Sequence, residues 1–365
     1  MTLPGKPGGN CGDRLTDALD YLALSLTPGM NPRLARALRL REPIDAVLAH
    51  PGEHADLLDP PAREAMATGE ARRRAERERA EAGRRGVQVV GLDDALYPPL
   101  LREIHDPPPV LYVWGTLVSD EGRRSIAIVG SRQCSPQGRA LAHGLGREVS
   151  AQGVTILSGL ARGIDAAAHQ GALGAGGRTI AVLGSGLDNV YPGEHGELAA
   201  SIAKRGAVVS EFSFGTQPWK GNFPRRNRII AGWGPAVVVV EAGARSGALV
   251  TARVALEEGR DVFAVPGHPS QEMAAGANQL IRDGAALVRD ARDVLEELGL
   301  APRSDERSMS EEDGLLRLLT RDVPFSLEDL RSRSGWPAAQ VLSRLTELEL
   351  TSKVRRVQGA LYVRN

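Results

Sequence analysis

Short apolar runs alternate with longer amphipathic stretches of helical length between residues 87 and 288. The runs are rich in Val, Ile, Leu and Ala, which is typical of strands buried on both faces. Strands that alternate with helices predict an α/β fold with a doubly wound, Rossmann-like parallel sheet. The predicted strands are Val87–Val90, Val110–Val113, Ser125–Val129, Val154–Leu157, Thr179–Leu183, Ala207–Ser210, Ala236–Val240 and Asp261–Val265.

Different patterns precede this region. Residues 1–14 are rich in Gly and Pro, which predicts a disordered leader. Residues 15–75 place Leu19 and Leu22 at helical spacing, and we expect a small helical domain there. A helix-hairpin-helix that binds phosphate is the alternative for this domain, but Gly29 alone supplies the glycine turn that such a motif needs.

Two segments are expected to connect domains. Residues 76–86 belong to a stretch in which Arg and Glu alternate without an apolar stripe, which predicts a solvated helical linker. Residues 301–312 are polar and charged and predict a second linker. Between them, residues 87–300 form the predicted Rossmann-like domain. Residues 313–365 predict three helices and a terminal hairpin, which is the order of a winged helix.

The predicted winged helix carries a local excess of positive charge. Residues 331–365 hold five more Lys and Arg than Asp and Glu, in a chain whose formal net charge is +0. The third helix has few groups that could read bases, and the cations concentrate in the hairpin at Lys353, Arg355 and Arg356. We therefore expect an auxiliary, sequence-independent DNA contact there, including contact with duplex DNA. A module that binds protein is the alternative.

Two segments at the carboxyl edge of the predicted sheet carry candidate chemistry. Gly130, Ser131 and Arg132 follow a strand and precede a helix, whose first backbone N–H groups attract anions. The segment 220–228 holds four cations, an aromatic ring and amide side chains, but no acid. Phosphate together with an unstacked base is the ligand that this combination suits best.

Further loops are expected at the same edge, where doubly wound sheets bind ligands. Asp165 is expected to cap the helix after Gly163 rather than to act in acid–base catalysis. His268 is expected to be a loop residue, since no Cys or second His is spaced to bind a metal with it. The predicted DNA-contacting residues are Gly130, Ser131, Arg132, Ser158, Gly159, Gly163, Lys220, Phe223, Arg226, Asn227, Arg228, Gly243, Ser246, Gly247 and Thr251.

Composition narrows the function classes. A net charge of +0 excludes a uniformly cationic nucleic-acid binder, so a DNA site must be a local patch. We expect no membrane span and no signal peptide, because the chain shows neither pattern. Cys11 and Cys134 indicate neither a disulfide framework nor a metal site, which favours the cytoplasm. No dinucleotide or Gly-Lys-Ser/Thr phosphate motif is found, so no cofactor is expected.

Taken in order, the motifs resemble the DNA processing protein A family, also called DprA or Smf. Five segments carry the likeness: Gly130-Ser131-Arg132, the Ser-Gly-Leu-Ala-Arg-Gly-Ile-Asp of 158–165, the Phe-Pro-Arg-Arg-Asn-Arg-Ile-Ile-Ala-Gly of 223–232, residues 241–252 and residues 261–267. The likeness runs from about Val87 to about Leu300, and five motifs in the same order are highly specific. It also implies that residues 15–75 form a SAM-like domain.

The resemblance implies a function. Members of the family bind single-stranded DNA and hand it to a RecA-type recombinase in natural transformation and DNA recombination. The family's DNA-gripping positions correspond to Arg132 and Lys220, and we expect Phe223 and Asn227 to meet an unstacked base. The resemblance further implies a homodimer built from elements beyond about Gly232, and a protein that is not an enzyme.

One enzymatic alternative stays open. The sheet domain is distantly similar to Rossmann enzymes of the lysine-decarboxylase-like type, which cleave the N-glycosidic bond of nucleoside monophosphates. Those enzymes carry Pro-Gly-Gly-x-Gly-Thr followed by a glutamate. Residues 241–247 hold Glu-Ala-Gly-Ala-Arg-Ser-Gly at the comparable strand end, so the catalytic acid lacks its usual context.

Overall fold

A computed structural model describes residues 17–300, 314–320, 323–350, 353–357 and 361–364. The chain forms two compact units, which divide between residues 301 and 302. The predicted leader and the predicted linker at 301–312 lie outside the described residues. Every predicted DNA-contacting residue except the three hairpin cations belongs to the larger unit.

The larger unit is built on a nine-stranded sheet with the order β1-β2-β6-β5-β4-β3-β7-β8-β9. All eight predicted strands are present, with ends within two residues of the expected ones. Strand β9 has two residues, too few for an apolar pattern to reveal. The strands are β1 Val87–Gly91, β2 Val110–Gly115, β3 Ser125–Val129, β4 Thr155–Ser158, β5 Thr179–Val182, β6 Ala207–Ser210, β7 Ala236–Val239, β8 Asp261–Ala264 and β9 Ala286–Leu287.

Helices precede the sheet and cover both of its faces. The helices of the larger unit are α1 Ala18–Ser25, α2 Pro32–Arg39, α3 Ile44–Ala49, α4 Pro60–Ala67, α5 Glu70–Arg84, α6 Pro99–Glu103, α7 Pro136–Ala151, α8 Ile164–Gly174, α9 Gly196–Arg205, α10 Asn222–Trp233, α11 Gly247–Glu257, α12 Ala275–Arg282 and α13 Ala291–Glu297.

Most of the sheet is parallel, as predicted. Strands β3 to β9 pair only in parallel with one another. In contrast, β1 pairs with β2 and β2 with β6 in antiparallel fashion, so the first two strands depart from the predicted parallel arrangement. The connection from β1 to β2 contains only the one-turn helix α6, which is too short to run back along a strand as a crossover helix does.

Strand β3 contributes side chains to two hydrophobic cores. Ile126 and Ile128 pack with α7, α8 and α13 on one face, whereas Ala127 and Val129 join the larger core with α10 and α11 on the other. Strands β4 to β6 lie on one side of β3 and strands β7 to β9 on the other. The topological switch point therefore lies between β3 and β7, where sheets of this kind bind ligands.

Helix α1 joins the N-terminal helices to the sheet. Ala18 lies against Gly91, where a Cβ on the glycine would come 2.9 Å from the Ala18 Cα. The Tyr21 hydroxyl donates a 2.5 Å hydrogen bond to Asp93, and Arg39 donates one of 2.6 Å to the same carboxylate. The first helices therefore share a core with the sheet.

Helix α5 covers most of the predicted helical linker at residues 76–86 and begins before it, at Glu70. The segment is helical up to Arg84, but Ala71, Ala75 and Ala82 are buried along one side of the helix. These small side chains let α5 pack closely against α1. Alanines between charged residues form an apolar face that is easily overlooked in a sequence.

The smaller unit has the predicted order of a winged helix. Its elements are α14 Gly314–Leu318, α15 Leu327–Ser334, α16 Ala338–Leu350, β10 Val354–Val357 and β11 Leu361–Arg364, and the two strands are antiparallel. Ser326 and Asp329 form a capping box at the start of α15. Gly335 ends α15 with a φ of 71°, at the predicted turn.

None of the helices in the described ranges is both long enough and apolar enough to cross a bilayer.

Candidate nucleic-acid interface

A cleft of about 540 Å³ opens at the switch point, beyond the carboxyl ends of β3 and β7. The Ser131 amide donates a 2.7 Å hydrogen bond to the Glu241 carbonyl oxygen and ties the two strand ends together. The first turns of α10 and α11 form the other walls. Ten predicted DNA-contacting residues line the cleft: Gly130, Ser131, Arg132, Phe223, Arg226, Asn227, Gly243, Ser246, Gly247 and Thr251.

Arg132 and Phe223 stack at the rim of the cleft. The Arg132 Cζ lies 5.1 Å from the centroid of the Phe223 ring. Arg132 is exposed, and the described residues provide no carboxylate that pairs with it. Tyr191, absent from the predicted set, extends the surface, with its ring centroid 5.7 Å from that of Phe223. A cation and two aromatic rings suit a phosphate and an unstacked base.

Arg226 is buried beneath the cleft and binds backbone carbonyl groups of two neighbouring segments. Its Nη1 donates to the carbonyl oxygen of Gly159 at 2.7 Å and to that of Val182, and its Nε donates to Asn227 Oδ1 at 3.1 Å. Burial lowers the pKa of this guanidinium to about 10, opposed by the attraction of Asp165. Arg226 is therefore charged at neutral pH, but its donors hold the loops and orient Asn227 instead of facing a ligand.

Arg228 lies on the opposite side of α10, contrary to the expectation of a phosphate contact. It is 6% exposed, and its Nη2 donates a 2.7 Å hydrogen bond to Glu211. Its Nε lies 3.4 Å from Asp106, and Arg225 donates to Glu211 at 3.1 Å. The segment 220–228 has no acid of its own, but the fold supplies two.

Ser158, Gly159 and Gly163 shape the loop rather than line the cleft. Ser158 is fully buried, and its hydroxyl donates to a β3 carbonyl oxygen at 2.6 Å. A Cβ on Gly159 would come 2.5 Å from Arg226 Nη1. Gly163 has a φ of 78°, and a Cβ there would come 2.3 Å from the Ser131 carbonyl oxygen. These residues therefore permit close packing behind the cleft.

The start of α7 does not offer the anion site expected after the turn at 130–132. Ser135 caps the helix and accepts a 2.9 Å hydrogen bond from the Gly138 amide. The Glu241 carboxylate accepts from the Ser135 amide at 2.8 Å and from its hydroxyl at 2.5 Å. A carboxylate of the chain itself thus takes the place of an external phosphate at this helix terminus.

Helix α11 forms the opposite wall. Ser246 caps it, and its hydroxyl oxygen accepts from a first-turn amide at 3.3 Å. Thr251 is buried, and its hydroxyl donates to the Gly247 carbonyl oxygen at 3.5 Å. The exposed Arg245, which is also absent from the predicted set, adds a second exposed cation to the lining, which also includes the acidic Glu272. The sequence signal that could have identified Arg245 is a lone Arg among Gly and Ala residues at the end of a strand.

Lys220 is exposed just before α10 and is not one of the residues that line the cleft. Its neighbour Trp219 is 68% exposed. The Trp219 ring lies over Gly221, where a Cβ would come 1.9 Å from Trp219 Cζ3. The contact of Lys220 with DNA therefore stays a prediction.

Asp165 stabilises a loop and does not cap α8 as expected. Its Oδ2 accepts hydrogen bonds from the Gly159 and Ala161 amides at 3.1 and 3.3 Å, whereas Gly163 stands at the helix N-cap. Burial raises the pKa of Asp165, against the attraction of Arg226. Its carboxylate is committed to the backbone that carries the loop after β4.

The histidines show no sign of a metal site. Across the described ranges, no three His, Cys, Asp or Glu side chains are grouped to hold a metal ion. His268 Nδ1 lies 2.7 Å from Ser270 Oγ. His169 Nδ1 lies 2.7 Å from Thr179 Oγ1, and burial lowers the pKa of His169 to about 3.

The auxiliary cations of the smaller unit are exposed in its hairpin. Lys353 and Arg355 are exposed, and the Arg356 Cζ lies 6.0 Å from the Tyr362 ring centroid. On α16, in contrast, Arg344 pairs with an acid on the same helix. The hairpin is therefore the more cationic part of this unit.

Comparisons with known proteins agree with this architecture. The family model described as DNA recombination-mediator protein A matches residues 88–299, and the one described as DprA winged helix domain matches residues 300–360. Protein Smf of Escherichia coli is 42% identical over 289 residues, which are 76% of this chain and 77% of that protein. The DNA processing protein DprA of Streptococcus pneumoniae is 47% identical over 210 residues, which are 56% of this chain and 72% of that protein.

Two solved structures are similar to this chain. The X-ray structure of DNA processing protein A from Streptococcus pneumoniae has a TM-score of 0.60 and 36% identity, and the match covers 76% of this chain and 95% of that one. The structure from Helicobacter pylori, which addresses the single-stranded DNA binding mode of that protein, has a TM-score of 0.52 and 27% identity. That match covers 58% of this chain and 95% of the other.

Proposed function

The chain belongs to the DNA recombination-mediator protein A family, and we propose that it binds single-stranded DNA in the switch-point cleft. The observation that carries the proposal is the exposed stack of Arg132 on Phe223, beside Tyr191. The Helicobacter pylori relative binds single-stranded DNA, which supports the same ligand here. In the proposed complex, Arg132 holds a phosphate while Phe223 and Asn227 meet a base.

The recombinase step follows from the family. We propose that the bound strand is passed to a RecA-type recombinase in natural transformation and DNA recombination, in the cytoplasm. The protein would then act by holding DNA and by recruiting a partner, not by changing a covalent bond. Co-sedimentation of the protein with a RecA-type recombinase on oligo-dT tests this step, and loss of recombinase loading at a constant level of DNA binding would separate the two roles.

A homodimer is part of the proposal. Apolar side chains are exposed on elements beyond Gly232, with Leu256 at 59% and Leu287 at 44%. Two linked clefts would bind one strand with a higher effective affinity than a single cleft. Sedimentation of the full chain should give a dimer, and a monomer at micromolar concentration would contradict it.

The alternative is an N-glycosidase acting on nucleoside monophosphates. That reaction needs an acid at the strand end near 241–247, but the Glu241 carboxylate is bound to the amide and hydroxyl of Ser135. The same contact occupies the helix terminus at which a nucleotide phosphate would bind. The geometry therefore favours DNA binding over this chemistry.

A paired assay tests the proposed function. Fluorescein-labelled oligo-dT and its duplex with oligo-dA are titrated with the protein at two salt concentrations, and base release from AMP is measured in parallel. We expect preferential binding of the single strand, weaker at high salt, and no base release. Base release that is lost in Arg132→Ala, without oligo-dT binding, would instead support the enzyme.

A further inference from the structure

A shallow recess adjoins the cleft on the other side of the Arg132–Phe223 stack. It is lined by Gly159, Arg162, Tyr191 and Pro192 together with residues that also line the cleft. The shared residues are Arg132, Ala161, Phe223 and Arg226. The cleft and the recess thus form one continuous track around the stacked pair.

Tyr191 provides an aromatic face along this track. Its ring is 40% exposed and is tilted by 45° against the ring of Phe223. Phe223 itself is wedged against Gly184, where a Cβ would come 2.9 Å from the phenyl ring. Arg132 and Tyr191 therefore contact a ring that the backbone holds in place. A base that continues past Phe223 would meet Tyr191 next.

Arg162 lies at the far end of the track and forms an ion pair with Glu194. The Arg162 Nε donates to Glu194 Oε1 at 2.5 Å, and its Nη2 donates to Oε2 at 3.0 Å. These hydrogen bonds raise the pKa of Arg162 further above its ordinary value. Both side chains are about half exposed, at 56% and 53%. Exposed pairs of this kind are weak, so a better partner can replace the carboxylate.

The backbone presents Arg162 from a constrained loop. Leu160 has a φ of 55°, which is uncommon for a residue other than glycine. His195 Nδ1 lies 2.8 Å from the Leu160 carbonyl oxygen and donates to it. Because His195 adjoins Glu194, the same contact fixes the loop that carries Arg162 and the segment that carries its acid. The backbone therefore sets the positions of both Arg162 and Glu194, although their side chains are exposed.

We propose that Arg162, Tyr191 and Glu194 form a second nucleotide subsite that the Arg162–Glu194 pair keeps closed. A base stacks on Tyr191, and the following phosphate displaces Glu194 from Arg162. The guanidinium fork then binds two phosphate oxygens in place of two carboxylate oxygens. Glu194 limits the affinity for longer strands, because its displaced charge stays near the phosphate. This subsite rests on the proposed function, since it extends the same DNA track.

Glu194→Gln tests the subsite, with Glu197→Gln as the matched control. Both glutamates are exposed and lie three residues apart, but it is Glu194 that pairs with Arg162. Binding of fluorescein-labelled oligo-dT is measured with the full chain over a ladder of strand lengths. We expect Glu194→Gln to raise affinity about two- to fivefold for long strands only, and Glu197→Gln to leave it nearly unchanged. In an Arg162→Ala background the gain should shrink.

Tyr191 is tested by Tyr191→Ala against Tyr191→Phe, which keeps the ring. We expect loss of affinity for long strands in the first variant and retention in the second. Equal effects of Glu194→Gln and Glu197→Gln, with wild-type binding intact, would overturn the subsite and leave the proposed function standing. A wild-type protein that binds no oligo-dT of any length would overturn both.

Discussion

The two sides of α10 carry neighbouring residues with different roles: one side faces the cleft, and the other forms ion pairs within the protein. On the cleft side, Phe223 stacks with the exposed Arg132. On the other side, Arg225 and Arg228 are bound to Glu211. The cations of 220–228 are continuous in the sequence, but the rotation of the helix divides them. A cation is available to a DNA phosphate only when no acid of the chain is already paired with it.

The largest effect is expected on the side away from the cleft. Arg228→Ala removes the buried one of the two arginines that pair with Glu211 and should lower the free energy of unfolding by about 3 kcal/mol, because the buried carboxylate keeps only its longer bond to Arg225. Urea unfolding measures this. The folded fraction should bind oligo-dT with unchanged affinity. A stable Arg228→Ala protein with weak DNA binding would show that Arg228 contacts DNA, and would contradict the division of roles between the two sides of α10.

The partners of α10 also show where prediction from sequence ends. Apolar periodicity located all eight longer strands of the sheet, because strand burial is a local property of the residues. Glu211 and Asp106 could not be assigned to Arg228, since nothing local indicates which distant acid faces a helix. The same holds for Glu241, whose contact with Ser135 closes the anion site that the turn at 130–132 suggested.

Loss of the ring on the cleft side should give the next largest effect. Phe223→Ala should weaken oligo-dT binding by about 1–3 kcal/mol, the usual contribution of an aromatic ring to base stacking. Phe223→Trp, which keeps an aromatic face, should retain most of the affinity. Equal losses in both variants, with folding intact by circular dichroism, would argue that the site needs the shape of the phenyl ring rather than a stacking surface.

His169 is buried in the core, and we expect its titration to change the free energy of unfolding but not DNA binding. Its pKa is about 3 in the folded protein and 6.5 in a model peptide, so only the unfolded chain gains this proton between those values. The stability it contributes is complete above pH 6.5 and is lost as the pH falls toward 3. From pH 6.5 to about pH 5 we expect a loss of about 1–2 kcal/mol.

His169→Gln is the control for this pH dependence. The variant lacks the titrating group, so urea unfolding over the same pH range should show a flatter slope than that of the wild-type protein. An unchanged slope would show that other groups cause the acid sensitivity. Oligo-dT binding by the folded variant should stay as in the wild type at neutral pH, because His169 lies in the core.

The smallest effect is expected from the hairpin of the smaller unit. Deleting residues 305–365 removes Lys353, Arg355 and Arg356 and should lower affinity for long DNA by about two- to threefold, with little change for short strands. Selection of one duplex sequence from a random pool by residues 305–365 would contradict an auxiliary contact. The smaller unit would then recognise a DNA sequence directly.

In the proposed complex, DNA binds on the cleft side of α10 and not on the opposite side. Arg132→Ala and Arg225→Ala test it most directly, because each removes one accessible arginine from one side. The salt dependence of oligo-dT binding is measured for both. We predict that Arg132→Ala lowers affinity and flattens the slope of log K against log salt by about 0.7, while Arg225→Ala changes neither. Equal losses of affinity and slope in the two variants would contradict the claim.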